Sequence, residues 1–284
     1  MSEYELGEAE FQDLRDLIQR LFGIDLSPEK KGLVVNRLQR VLRKRGLADF
    51  RAYIEFLERS PGSEALSELI DRISTNHTFF NREPGHFDYF RDEVLPDFVG
   101  RIRAPSEKDL RVWCAAAATG EEPYTLVMMM LDALGARYDS WKAGLLATDL
   151  SADALEKAAT AVYTKEAVSQ LSADLRKKYF EPFEGGGLRV CARVRNEVVF
   201  RRFNLIKSKY SFRSPFHVIF CRNVMIYFDS ETKKAVVDRL YEVTAPGGYL
   251  FVGHAESLNR EHCPYDYVCP GVYRRGSTWG SREG

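Results

Sequence analysis

Two adjacent carboxylates, Glu121 and Glu122, follow the turn Ala115-Ala-Ala-Ala-Thr-Gly120, and a third, Asp149, ends the run Leu145-Leu-Ala-Thr-Asp149. The small residues of the turn keep side chains out of the space above Leu110–Cys114, which reads as a buried strand. A ligand can therefore approach the backbone there. A turn after one strand and an acid after the next is the layout of a nucleotide or nucleoside crevice in a doubly wound sheet. Glu121 and Glu122 would repel a phosphate, which disfavours a dinucleotide. A cationic ligand without phosphate, such as the sulfonium of S-adenosylmethionine, suits them.

The elements that would position these groups fall into two halves with different periodicity. In the first, Phe11, Leu14, Ile18, Leu21 and Phe22 share one helical face. Ser27-Pro28 starts a second helix with the stripe Val34, Leu38, Val41 and Leu42, and Gly46 ends it. Phe50, Tyr53, Ile54 and Leu57 mark a third, Pro61-Gly62 a turn, and Leu66, Leu69, Ile70 and Ile73 a fourth. The pattern predicts an all-α domain over residues 1–85, with a connecting helix over 86–104. From about residue 105 strands alternate with helices: Leu110–Cys114, helix Glu121–Leu134, Leu145–Asp149, helix Ala152–Val162, Val218–Cys221, helix Glu231–Val243 and Tyr249–Gly253. That order predicts an α/β domain over 105–284 with a doubly wound, mostly parallel sheet. Leu188–Val194 and Glu197–Phe203 alternate with period two around Arg195-Asn196 and break the order. They read as an antiparallel β insertion over 183–203.

Composition narrows the function classes. Lys+Arg and Asp+Glu are equal at 41 each, so no global field favours nucleic acid. The acidic start Met1-Ser-Glu-Tyr-Glu has no apolar signal region and no apolar run is long enough to span a bilayer, so membrane insertion is not expected. Five cysteines without a CxxC pair suit reduced thiols and a cytoplasmic location. His77, His217 and His254 show no metal-ligand spacing, so no metal is expected. Met128, Met129 and Met130 read as helix packing, and Cys221 as an inert core thiol. Glu256 reads equally as a surface residue or a site residue.

Six motifs in order resemble the chemotaxis receptor methyltransferases of the CheR family over nearly the whole chain. They are Thr75-Asn-His-Thr-Phe-Phe-Asn-Arg-Glu83, Trp113–Tyr124, Ala147-Thr-Asp-Leu-Ser151, Phe203-Asn-Leu205, Cys221-Arg-Asn-Val-Met-Ile-Tyr-Phe-Asp229 and Gly253-His-Ala-Glu-Ser257. The resemblance implies a helical domain joined to a class I methyltransferase-like domain with a small antiparallel subdomain. It implies methyl transfer from S-adenosyl-L-methionine to glutamate side chains of chemoreceptors, leaving glutamyl methyl esters and S-adenosyl-L-homocysteine. It also distributes roles. Asn76, Thr78 and Arg82 would line the cofactor pocket, with Gly120 in its turn and Glu121 at the methionine end. Asp149 would take the ribose hydroxyls, and Asn204 and Leu205 would flank the adenine. Arg222, Asn223 and Tyr227 would border the methyl group and the substrate channel. Ala118 stands where the family often has serine.

The chemistry expected asks for little. A glutamate has an ordinary pKa near ~4.3 and is already an anion at neutral pH, so no general base is required. What remains is alignment. Arg82 is the candidate to orient the acceptor carboxylate, with Tyr227 holding Arg82 or donating to the acceptor. Residues 27 to 51 carry Lys30, Lys31, Arg37, Arg40, Arg43, Lys44, Arg45 and Arg51 against Glu29 and Asp49. Arg37, Arg40 and Lys44 share a helical face and are the candidates to meet a glutamate-rich receptor bundle. In some family members the antiparallel subdomain also binds a receptor C-terminal tail by strand addition. Phe183-Glu-Gly-Gly-Gly-Leu188 is short compared with those members, so tethered and untethered modes both stay open. Two rivals stand beside this reading. One is a methyltransferase of nucleic acid or small molecules; the other is an S-adenosylmethionine-binding receptor adaptor with little or no turnover.

Overall fold

The computed structural model describes residues 4–59, 64–101, 108–259, 261 and 263–276. They divide into two compact units, Met1–Thr75 with Tyr227–Lys233, and Asn76–Ile226 with Lys234–Gly284.

The first unit is helical. Helices α1 (Glu8–Phe22), α2 (Lys31–Arg45), α3 (Phe50–Glu58) and α4 (Glu64–Ile73) bury the apolar stripes that the sequence marks. The chain enters α2 through a 3-10 turn, Pro28–Lys30, rather than directly from Ser27. Proline suits the first turn because its missing N–H would have no partner there. Gly46 ends α2 in the left-handed region, and Asp49 caps α3 by accepting from Ala52 N at 2.8 Å. The turn expected at Pro61-Gly62 lies outside the described residues. A short distant segment completes the unit. Ile24 forms an antiparallel bridge with Phe228, and the Gln19 amide donates to Asp229 at 2.6 Å.

The second unit opens with α5 (Pro84–Tyr89), a π turn at Phe90–Val94 and α6 (Leu95–Arg101). Strand β1 (Asp109–Cys114) then leads into α7 (Glu121–Leu134), and β2 (Lys142–Asp149) into α8 (Ala152–Thr160). There follow β3 (Val162–Tyr163), α9 (Lys165–Val168), α10 (Ala173–Tyr179), β4 (Phe180–Pro182), β5 (Leu188–Val190), α11 (Ala192–Arg195) and β6 (Val198–Arg202). The last elements are β7 (Phe216–Phe220), α12 (Ser230–Val243), β8 (Thr244–Phe251), β9 (Asp266–Cys269) and β10 (Val272–Arg274). Seven strands form one sheet in the order β6-β2-β1-β7-β8-β10-β9. The first five are parallel, and β10 and β9 add an antiparallel edge. The α/β expectation holds, with that edge added.

The insertion differs from expectation. Val198–Arg202 does not turn back on Leu188–Val194. It pairs in parallel with Leu145–Asp149 and extends the main sheet. Cys191 and its neighbours cannot continue β5, because Ala192–Arg195 closes a helical turn between them. The small antiparallel sheet is instead β3-β5-β4, drawn from Val162–Tyr163, Leu188–Val190 and Phe180–Pro182. Pairing there also satisfies the edge of β2, which a separate two-strand ribbon would leave open.

Packing fixes the strand ends. Phe220 and Phe251 stack at 4.2 Å, with Phe90 edge-on to Phe220 at 5.5 Å. On β1, fully buried Trp113 packs against Phe203, Tyr210, Phe212 and Phe216. Its Nε1 donates to Thr148 Oγ1 at 2.9 Å. Met128 and Met130 are fully buried and Met129 nearly so, which makes them core as expected.

Candidate active site

Strand order reverses beside β1, so the crevice of a doubly wound sheet belongs at the carboxyl ends of β1 and its neighbours. Those ends carry most of the sequence-predicted residues of this unit: Gly120 and Glu121 after β1, Asp149 ending β2, Asn204 and Leu205 after β6, Arg222 and Asn223 after β7; Asn76, Thr78 and Arg82 lie instead in the segment that precedes α5. Gly120 caps α7 at φ 98°, and a Cβ there would lie 2.8 Å from Tyr163 Oη and 3.0 Å from Ala158 Cβ. Only glycine fits both the angle and the space. Ala118 N donates to Asp149 at 2.8 Å and Ser151 N at 2.9 Å, so the turn and the carboxylate hold each other. Asn204 Oδ1 accepts from Ile206 N at 3.1 Å, which fixes the loop after β6.

Glu121 and Glu122 part company. Glu122 is neutralised: its Oε1 takes the Cys114 thiol at 3.1 Å and its Oε2 pairs with Arg222. Glu121 is buried and accepts from Thr119 Oγ1 at 2.7 Å. Burial pushes its carboxyl pKa up, against the pull of that hydrogen bond. Among the described residues no cation pairs with it. A buried carboxylate in that position has most to gain from a ligand that brings positive charge. The phosphate-repelling role read from the sequence for both residues therefore rests on Glu121 alone.

Arg222 is the largest difference from expectation. Its guanidinium does not point to an open channel. Its side chain is 1% exposed and bridges two carboxylates, Glu83 at 2.9 Å and Glu122. It also donates to the Arg82 carbonyl at 2.6 Å. Glu83 takes the Asn223 side-chain amide at 3.1 Å. Burial alone would raise the Glu83 carboxyl, but hydrogen bonds from Asn223 and Arg222 and the Arg222 charge outweigh it and hold it down at about 2. Asn223 itself sits at φ 58°, an unusual angle for a side-chain-bearing residue. A third carboxylate holds it there. Fully buried Glu256 accepts from Asn223 N at 2.6 Å, Gly253 N at 2.7 Å and Ile226 N at 3.1 Å.

Sequence reasoning did not single out Glu83 or Glu122 as partners of Arg222, and it left Glu256 undecided. Their places within the motifs were the available signal, with Glu122 and Glu256 following strands and Glu83 preceding α5. Glu83, His86 and His254 could offer ligand atoms within 4.8 Å of one another. Arg222 already neutralises Glu83, and a metal cation would be pressed against that guanidinium. His86 is buried and its pKa falls to about 4, mainly through burial and then the Arg222 charge.

Among the other expected residues, the side chains of Arg82, Tyr227, Arg37 and Lys44 have partners of their own. Arg82 donates to the His77 carbonyl at 2.8 Å and lies over the Phe79 ring. Tyr227 belongs to the helical unit, where its carbonyl accepts from Asp25 N at 2.8 Å and its ring faces Lys30 Nζ at 5.5 Å. Of the basic face, Arg37 donates to the carbonyls of Arg72, Ile73 and Ser74 and so caps the end of α4. Arg40 is exposed, and Lys44, 76% exposed, lies 3.6 Å from Glu68.

Residues 9–74 match the family described as "CheR methyltransferase, all-alpha domain", and residues 76–269 match "CheR methyltransferase, SAM binding domain". The chain belongs to the CheR methyltransferase family. It is 36% identical over 266 residues to the chemotaxis protein methyltransferase of Borreliella burgdorferi, covering 94% of each chain. It is 38% identical over 257 residues to that of Escherichia coli, covering 89% of this chain and 86% of the relative. Chemotaxis protein methyltransferase 2 of Pseudomonas aeruginosa is 36% identical over 259 residues, with 90% and 89% covered. The group this family takes is S-adenosylmethionine, and the residues present fit it. Asp149 stands at the end of the strand that follows the turn and is held by Ala118 N, and Glu121 offers a buried carboxylate without a cationic partner among the described residues. No described helix is long and apolar enough to cross a membrane.

Proposed function

We propose that this chain methylates glutamate side chains on the helical cytoplasmic region of chemoreceptors, in the cytoplasm, and releases S-adenosylhomocysteine. The observation that carries the proposal is the buried Glu121 carboxylate, without a cationic partner among the described residues, beside a glycine-only turn in a chain of the CheR family. When bound, S-adenosylmethionine supplies an electrophilic methyl on a positively charged sulfur. Glu121 stabilises that charge, while Asp149 and Gly120 hold the nucleoside. A glutamate oxygen of the receptor forms the new bond to the methyl carbon as the carbon–sulfur bond breaks, so no proton has to move. Arg82 orients the acceptor carboxylate through its remaining guanidinium N–H groups, and Tyr227 supports the acceptor from its own segment. A tight grip would slow the step, since the acceptor loses charge as the ester forms. Arg40 and Lys44 on α2 steer the acidic receptor bundle.

The test is transfer of a radiolabelled methyl group to isolated receptor cytoplasmic fragments. Base-labile label is the expected outcome. Base-stable label would assign another acceptor, and cofactor binding without label would make the protein an adaptor. Asn76, Thr78, Asn204, Leu205 and Asn223 take cofactor contacts in this reading. Arg222 enters it through the backbone it fixes.

A further inference from the structure

One aromatic residue outside the motifs touches two of the segments that carry the cofactor-site candidates. Tyr163, on β3 of the small antiparallel sheet, donates its hydroxyl to the Thr119 carbonyl at 2.8 Å. The same oxygen occupies the place where a Gly120 side chain would begin. Its ring packs edge-on against Phe80 at 4.8 Å, within the Asn76–Glu83 segment, and approaches Tyr124 on α7 at 6.3 Å. From behind, Gly187 in the β4–β5 connection presses on its backbone. A Cβ there would lie 2.5 Å from the Tyr163 carbonyl oxygen. Tyr163 is therefore held by its own sheet and in turn holds the turn before Glu121.

We infer that Tyr163 is a positioning residue for the cofactor turn, through which the small antiparallel sheet sets affinity for the S-adenosyl ligand. Hydroxyl and ring act on different segments. The ring fills the space between Phe80 and Tyr124, and the hydroxyl fixes the Thr119 carbonyl and so the direction in which Gly120 and Glu121 leave the turn. Without the hydroxyl the turn samples other arrangements before ligand arrives, and binding must restore the productive one. The cost falls on cofactor affinity. Once cofactor is saturating, the transfer step proceeds from the same geometry. The inference rests on this turn being the S-adenosyl site.

The experiment is calorimetry with S-adenosylhomocysteine, paired with methyl-transfer kinetics, on the wild type and Tyr163→Phe. The expected result is a Kd raised roughly two- to tenfold, the range one neutral hydrogen bond sets. KM for S-adenosylmethionine should rise by the same factor, with kcat and KM for the receptor fragment unchanged. Two loop variants give an independent arm. Gly185 and Gly187 both have positive φ, 99° and 86°, so alanine strains the loop at either place. Only at 187 does the new Cβ strike Tyr163; at 185 nothing lies within 4 Å. Gly187→Ala should weaken S-adenosylhomocysteine at least as much as Tyr163→Phe, and Gly185→Ala should stay within about twofold of the wild type. An unchanged Kd in Tyr163→Phe, or equal losses in the two glycine variants, would overturn the inference. A wild-type chain that takes up no S-adenosylhomocysteine would overturn the cofactor assignment and this inference together.

Discussion

Replacing Arg222 by methionine separates two roles for a residue the motif pattern places beside the cofactor. In the structure its guanidinium is the shared cation of Glu83 and Glu122. Removing it leaves two carboxylates, 16% and 13% exposed, without that counter-charge. Breaking a buried pair in this way costs about 3–5 kcal/mol, most of it the penalty of the stranded charge. For a chain of this size that is roughly 10 °C in melting temperature. Lysine should not rescue it, because a point ammonium cannot bridge two carboxylates as a planar fork does. Neutralising the partners should: Arg222→Met with Glu83→Gln and Glu122→Gln is expected to recover at least half of the loss. The assay is thermal denaturation of the single, lysine and triple variants, with S-adenosylhomocysteine affinity measured on each below its transition. If Arg222→Met melts with the wild type yet no longer binds S-adenosylhomocysteine, the guanidinium is a ligand contact and the clamp is refuted.

Three further outcomes follow from the same geometry. Glu256→Gln keeps the shape but sets an amide against Ile226 N, and should cost about 2–4 kcal/mol on denaturation while lowering kcat more than cofactor affinity; equal Tm for both chains would remove Glu256 from the loop's support. Arg40→Glu with Lys44→Glu should lower receptor methylation at low salt without changing S-adenosylhomocysteine affinity, whereas Arg37→Ala should lower stability by about 1 kcal/mol or more through the lost α4 cap; a receptor-specific effect of Arg37→Ala at unchanged stability would contradict its capping role. His86 and His217 are both held neutral, with pKa values lowered to about 4 chiefly by burial, against 6.5 for an ordinary histidine. The unfolded chain therefore binds more protons between those values, and stability should fall as pH drops from about 6.5 to about 4. Glu83 extends the loss further, since its stabilising ionisation disappears between 4.5 and about 2. Urea midpoints that stay flat from pH 6.5 to 4 would contradict the neutral histidines.

The legible parts of the sequence were those governed by local rules. Helix Glu121–Leu134 and strand Leu145–Asp149 could be read because apolar periodicity and a small-residue turn act over a few neighbours. Gly120 could be read because one backbone angle and one close approach demand it. The failures were matters of partner choice or of strands too short to show a period. The alternation at Val198–Arg202 announces a strand, but nothing local says whether it pairs with Leu188 or with a β2 strand some fifty residues earlier; the unpaired edge of β2 decided it. Val162–Tyr163 and Phe180–Pro182 are too short to leave a periodic trace, so the true insertion was invisible. Arg222 is a similar case. Its motif marks the site, but its partners come from Glu83 and Glu122, in separate motifs, and only the fold says which charges cancel. Arg37 and Arg40 share a helical face in sequence, yet only Arg37 reaches the end of α4.

That cancellation bears on the chemistry. The proposed acceptor is itself a carboxylate, and it must approach a region whose sequence is rich in carboxylates. Glu83, Glu121, Glu122, Asp149 and Glu256 all lie in its motifs, and their summed repulsion would oppose an incoming anion. The structure removes most of that repulsion without removing the groups. Glu83 and Glu122 share Arg222, Glu256 is held by three backbone N–H groups, and Asp149 accepts from two. Glu121 has the Thr119 hydroxyl and a backbone N–H but no cation among the described residues, and it is the group for which a sulfonium is the natural partner. With that ligand in place the Glu121 charge is matched. An anionic acceptor then meets a site one unit less negative before transfer, and after transfer Glu121 is again without a cationic partner. Affinity for the acceptor should therefore depend on cofactor charge. Receptor fragments should bind more tightly in the presence of a cationic S-adenosyl analogue than in the presence of neutral S-adenosylhomocysteine, and the difference should vanish in Glu121→Gln.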